Sequence, residues 1–119
     1  MTAATPPQGS TPEPKDERRR GPRTVEGEFR RPLLEALTEL GGRAPTHEVL
    51  HIVERKMKLR LTSTDYQELR AGEVRWRNTA KWERKYMKDE GLLNGTSRKG
   101  LWELTAKGTA ELEKLRARS

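Results

Sequence analysis

Val74-Arg75-Trp76-Arg77-Asn78-Thr79-Ala80-Lys81-Trp82-Glu83-Arg84-Lys85-Tyr86-Met87-Lys88-Asp89-Glu90, closed by Gly91, is the stretch on which the fold turns. At about 100° per residue, Trp82, Tyr86, Thr79, Trp76, Met87 and Ala80 fall on one arc of a helix, broken only by Glu83 and Glu90. The other arc carries Arg84, Arg77, Lys88, Lys81, Lys85 and Asn78 without an acid, and Asp89 lies just past its edge. A helix that needed charge only for solubility would mix Glu among its Lys and Arg. Segregation of this kind predicts a buried aromatic face and a cationic face turned to a polyanion.

The residues after Gly91 change pattern. Leu92-Leu93 and Leu101 to Thr105 read as short strands around the polar, turn-prone loop Asn94-Gly95-Thr96-Ser97-Arg98-Lys99-Gly100. Trp102 and Leu104 alternate onto one side to anchor the second strand, and Arg98 and Lys99 project from the tip. Thr105 then opens a last helix, with Ala106, Leu112 and Leu115 inward.

Upstream, Phe29, Leu33, Leu34, Leu37 and Leu40 form a helical stripe over about 28–40. Pro32 is tolerated in its first turn, and Gly41-Gly42 stops it. Thr46 reads as the N-cap of a second helix, about 46–58, with Val49, Leu50, Val53 and Met57 inside. Thr64 and Gln67 have capping-box spacing and open a short helical piece that ends at Gly72. The expected fold class is mainly α with a small β-hairpin, a winged helix-turn-helix.

The chain has 119 residues and a formal net charge of +7. Residues 1–28 hold equal numbers of basic and acidic side chains, so the whole excess falls on the remainder. Residues 1–27, rich in Pro and carrying Arg18, Arg19, Arg20 and Arg23, read as a disordered tail, and 28–116 as one winged helix-turn-helix domain. With no Cys there are no disulfides, cysteine zinc sites or thiol nucleophiles. No apolar run approaches the roughly 18 residues of a membrane span, and the N-terminus lacks a signal-peptide layout. A cytoplasmic protein with no membrane partner is expected.

One motif competes with the binding reading. His47-Glu48-Val49-Leu50-His51 spells the H-E-x-x-H of zinc proteases. Catalysis there needs both His on zinc, Glu48 to activate water and a third ligand. The extended form of the motif fails at Glu54 and Met57, leaving Glu73 as the best-spaced third ligand. Both His lie opposite the buried arc of their helix, toward solvent and without an expected cleft. His47 and His51 are therefore the minor alternative metal pair, and the primary expectation is no enzyme, no metal and no cofactor. Ser63, Thr64 and Asp65 suit caps and turns better than a triad.

Arg77-Asn78, Trp82, Met87-Lys88, Gly91-Leu92-Leu93 and Ser97-Arg98-Lys99-Gly100-Leu101-Trp102-Glu103-Leu104-Thr105-Ala106-Lys107-Gly108 resemble the N-terminal domain of Mrr-type restriction proteins. The tip departs from that family's Ser-Arg-Gly order through Lys99. The resemblance follows element order from about Phe29 to Gly108 and is most specific over 77–108. It implies a winged helix-turn-helix that binds DNA, with any nuclease supplied by a separate partner. The expected contacts to double-stranded DNA are Arg75, Arg77, Asn78, Lys81, Arg84, Lys85, Lys88, Arg98 and Lys99, the helix lying in the major groove. A regulator of transcription and a recognition component of a restriction-like system both fit. A winged helix used for protein contact, another protein partner, and a homodimer stay open.

Overall fold

The computed structural model describes residues 20–118. Its elements run α1 (Arg30–Glu39), β1 (Arg43–Pro45), α2 (Thr46–Met57), α3 (Arg75–Asp89), β2 (Leu101–Glu103) and α4 (Ala106–Ala117). Short 3-10 turns at Glu26–Phe29 and Thr64–Tyr66 precede α1 and α3. This is a winged helix: three helices pack around one core, and a β-wing follows the third. Phe29, Leu33, Leu34 and Leu37 meet Val49, Val53 and Met57 of α2, with Trp76, Ala80 and Met87 of α3 completing the cluster. Phe29 stacks on Trp76 at 6.3 Å between ring centroids, 12° from parallel.

The sheet differs from a lone hairpin. Leu93 and Leu104 pair across the wing, but β2 also pairs antiparallel with β1, setting Ala44 opposite Trp102. Arg43-Ala44-Pro45 is too short to display alternation, so β1 has no sequence signature. Its consequence is positional. Thr46 starts α2 rather than capping it, and its N–H and Oγ1 both donate to the Gly100 carbonyl, at 2.9 and 3.2 Å. The wing's end is thereby tied to the start of α2.

The Thr64–Gln67 capping box does not form. Thr64 Oγ1 donates instead to the Gly21 carbonyl at 2.8 Å. Asp65, fully buried, accepts from Thr24 N–H (2.6 Å), Thr24 Oγ1 (2.7 Å) and Thr62 N–H (2.8 Å). Three donors compensate the desolvation of the carboxylate. Within the expected tail of residues 1–27, Gly21, Pro22 and Thr24 thus bond to the α2–α3 connection, and Glu26 opens the turn before α1. Residues 1–19, with Arg18 and Arg19, lie outside the described residues.

Gly91, at φ +84°, lets Leu92 N–H reach back to the Met87 carbonyl (2.8 Å) and turns the chain from α3 into the wing. Thr105 caps α4 by accepting from Gly108 N–H at 3.0 Å. Leu112 is buried as expected, but Ala106 is exposed, because Gly108 is the residue that faces the core. A Cβ on Gly108 would lie 2.3 Å from the Leu92 carbonyl oxygen and 2.7 Å from Leu104 Cδ1. We predict that Gly108→Ala destabilises the domain by about 1–3 kcal/mol, measured by urea unfolding. An unchanged midpoint would mean that α4 is not seated against Leu92.

Candidate nucleic-acid interface

The face that α3 shows to solvent depends on what its opposite face buries. Trp76, Thr79, Ala80, Glu83 and Met87 are buried, whereas Trp82 and Tyr86 are 46% and 43% exposed. The helix is rolled relative to the arc read from apolar character, so the expected core aromatics Trp82 and Tyr86 lie outward, while Glu83, which interrupts that arc, is buried within it. Arg30 causes the roll. Its Nε donates to Glu83 at 2.5 Å, and its two terminal nitrogens donate to Glu90 at 3.0 and 2.6 Å. These hydrogen bonds, that to Glu90 foremost, hold the Arg30 guanidinium above its ordinary pKa and Glu90 below its own. Burial pushes the Glu83 carboxyl up against the pull of Arg30.

The expected contact residues separate into two groups. Arg77, Lys81 and Lys85 are exposed along one strip of α3, and Asn78 is half-buried beside them. Arg84, Lys88 and Arg75 are more enclosed. The Arg84 guanidinium lies 5.3 Å from the Trp102 ring centre, its Nε–H is buried without a hydrogen-bond partner, and burial lowers its pKa. Arg84 thus covers the wing's anchoring Trp. The Lys88 stem runs beside Gly95 of the wing, and Arg75 also buries an unpartnered Nε–H.

The cationic strip is not free of acids. Lys81 pairs with Glu73 at 2.5 Å and Lys85 with Asp89 at 3.2 Å, all four side chains partly exposed. Glu73 precedes the helix, so the wheel did not include it; Asp89, one turn from Lys85, is the acid that the wheel sets just past the edge of the strip.

The wing is braced from within. Glu103 Oε1 accepts from Asn94 Nδ2 (3.1 Å) and Ser97 Oγ (2.9 Å), and Asn94 Oδ1 accepts from Thr96 N–H (2.9 Å). Asn94, Ser97 and Glu103 were not among the expected site residues, yet they shape the loop that leaves Arg98 and Lys99 exposed.

A groove of about 920 Å³ runs between α2 and α3, lined by Thr46, His47 and His51 on one side, Arg77 and Lys81 on the other, and Gly100 at the wing base. The expectation of no cleft at the H-E-x-x-H stretch is corrected here. Both His are exposed and border this groove, which Glu48 and Glu73 also line. Among the described residues, no three His, Asp or Glu side chains are grouped to hold a metal ion.

The Mrr N-terminal domain family matches residues 27–114, from the turn before α1 into α4. This chain belongs to that family. No curated protein and no solved structure matches it. This Mrr N-terminal domain devotes motif residues to anchoring the wing and α4: Trp102 is buried beneath Arg84, Thr105 caps α4 and Gly108 seats it. Among its described residues no helix is long and apolar enough to cross a membrane.

The Arg30 pin makes its own prediction. Glu83→Ala strands part of a guanidinium in the interior and removes a charge-assisted bond, so stability should fall by about 1.5–3 kcal/mol. Thermal unfolding followed by circular dichroism checks this; a wild-type melting temperature would show that Arg30 does not hold α3.

Proposed function

We propose that this domain is a non-catalytic DNA-binding module, a regulator or the recognition component of a restriction-like system. It sets α3 in the major groove of double-stranded DNA. One observation carries the reading: the α2 start, the wing base and the Arg77–Lys81 strip line one groove. A winged helix brings these three parts to duplex DNA together, the helix to base edges and the others to phosphates. Arg77, Lys81 and Lys85 supply cations along α3, and Arg98 and Lys99 supply them on the wing. The α2 N-terminus, with His47 beside it, offers backbone N–H groups to a phosphate. Lys88, Arg84 and Arg75 support the helix and wing more than they reach for the ligand.

Glu73 and Asp89 moderate this surface. Each neutralises a lysine in the free protein and repels phosphate, so non-specific affinity is held down. The cost of releasing an exposed ion pair is about 0.2–1 kcal/mol.

A protein-contact module is the second reading, supported by the half-exposed Trp82 and Tyr86 on the same helix. Such association would be insensitive to salt.

Electrophoretic mobility shifts on a random-sequence duplex test the proposal. Lys81→Glu with Lys85→Glu should weaken binding at least about tenfold, evenly across sequences. His47→Gln with His51→Gln should change it far less. Glu73→Gln should tighten binding up to about fivefold, and only while Lys81 is present. Equal losses from the Lys and His pairs would contradict the assignment of α3.

A further inference from the structure

The outward roll of α3 places an aromatic wall among its cations. Asn78, Lys81, Trp82 and Lys85 together line a depression of about 280 Å³. Trp82 leans against Tyr86, with ring centroids 6.3 Å apart and planes 37° from parallel, which limits the freedom of the indole. Lys81 borders both this depression and the larger α2–α3 groove, so the indole lies on the cationic strip rather than behind it. Trp76 and Trp102 are buried, which leaves Trp82 as the exposed indole of the domain.

An apolar ring and an amide, with two ammonium groups along the adjoining row of the helix, are chemically selective. The ammonium groups complement phosphates. Beside them the major-groove edge of a base pair must satisfy a carboxamide and an apolar surface. Adenine offers N7 and N6–H₂ to a bidentate amide, and thymine alone among the four bases carries a C5-methyl group there. Asn78 and Trp82 are four residues apart, about 6 Å along the helix, which spans neighbouring base pairs.

We propose that Asn78 and Trp82 form a reading site for A·T pairs, the amide taking adenine and the indole covering a thymine methyl. This rests on the DNA-binding function above and names the bases that α3 selects. Tyr86 is a positioning residue, acting through Trp82.

The experiment compares the full chain on an A·T-rich duplex with the same duplex carrying deoxyuridine for thymidine, which removes only the methyl groups. Wild-type affinity should fall about fourfold for each thymine methyl that the indole no longer covers. Trp82→Ala should bind both duplexes equally, and Asn78→Ala should lose preference for the A·T-rich duplex over a G·C duplex. Iodide quenching of tryptophan fluorescence needs no variant, and quenching should fall when the thymidine duplex is added. Wild-type binding indifferent to the methyl groups, or self-association abolished by Trp82→Ala, would overturn the reading site. Those results would leave the DNA-binding function standing wherever Lys81→Glu with Lys85→Glu still weakens binding. No binding to any duplex would instead remove that function and the inference with it.

Discussion

One guanidinium determines what this domain shows to a partner. Arg30, at the start of α1, grips Glu83 and Glu90 on α3 and fixes the rotation of that helix about its own axis. The Phe29–Trp76 stack, adjoining it in the chain, fixes the same rotation from the apolar side. With both contacts made, Met87 and Ala80 fall inward, and Arg77, Lys81, Lys85 and Trp82 fall outward. A roll of a few tens of degrees would carry Trp82 and Tyr86 toward the core and leave a different surface. The ion pair is the more directional of the two contacts, since a half-buried guanidinium with several fixed acceptors tolerates little displacement.

The second organising feature is the coupling of the wing to the helix-turn-helix. β2 is shared between β1 and the wing, and Gly100 holds the start of α2 through Thr46. Arg84 adds a contact between α3 and the anchoring Trp102. The wing is therefore tied to both α2 and α3.

Helix limits were legible in the sequence wherever local chemistry sets them: Gly41-Gly42, Gly91 and the Thr105 cap act within a turn of their own position. The wing was legible for the same reason, through its polar loop between apolar pairs. Three features were not. β1 has three residues and shows no period. Asp65 finds its donors at Thr24, forty-one residues away in the chain. The roll of α3 is held by Arg30, fifty-three residues from Glu83, and a hydrophobic wheel shows Glu83 only as a break in the apolar arc, not as a buried ion-pair partner. The cationic strip was thus largely visible, with Asp89 at its edge, but its aromatic component depends on contacts distant in sequence and Glu73 lies just before the helix.

Family membership and fold together describe a small scaffold whose exposed chemistry is cationic, aromatic and modulated by two carboxylates. The central claim is that this surface meets a nucleic-acid duplex. Fluorescence anisotropy on a labelled random-sequence duplex across a salt series tests it most directly. Arg77, Lys81, Lys85, Arg98 and Lys99 predict a linear fall of log affinity with log salt, at a slope of about −3 to −5. Absence of binding at low salt, or an affinity that salt leaves unchanged, would contradict it.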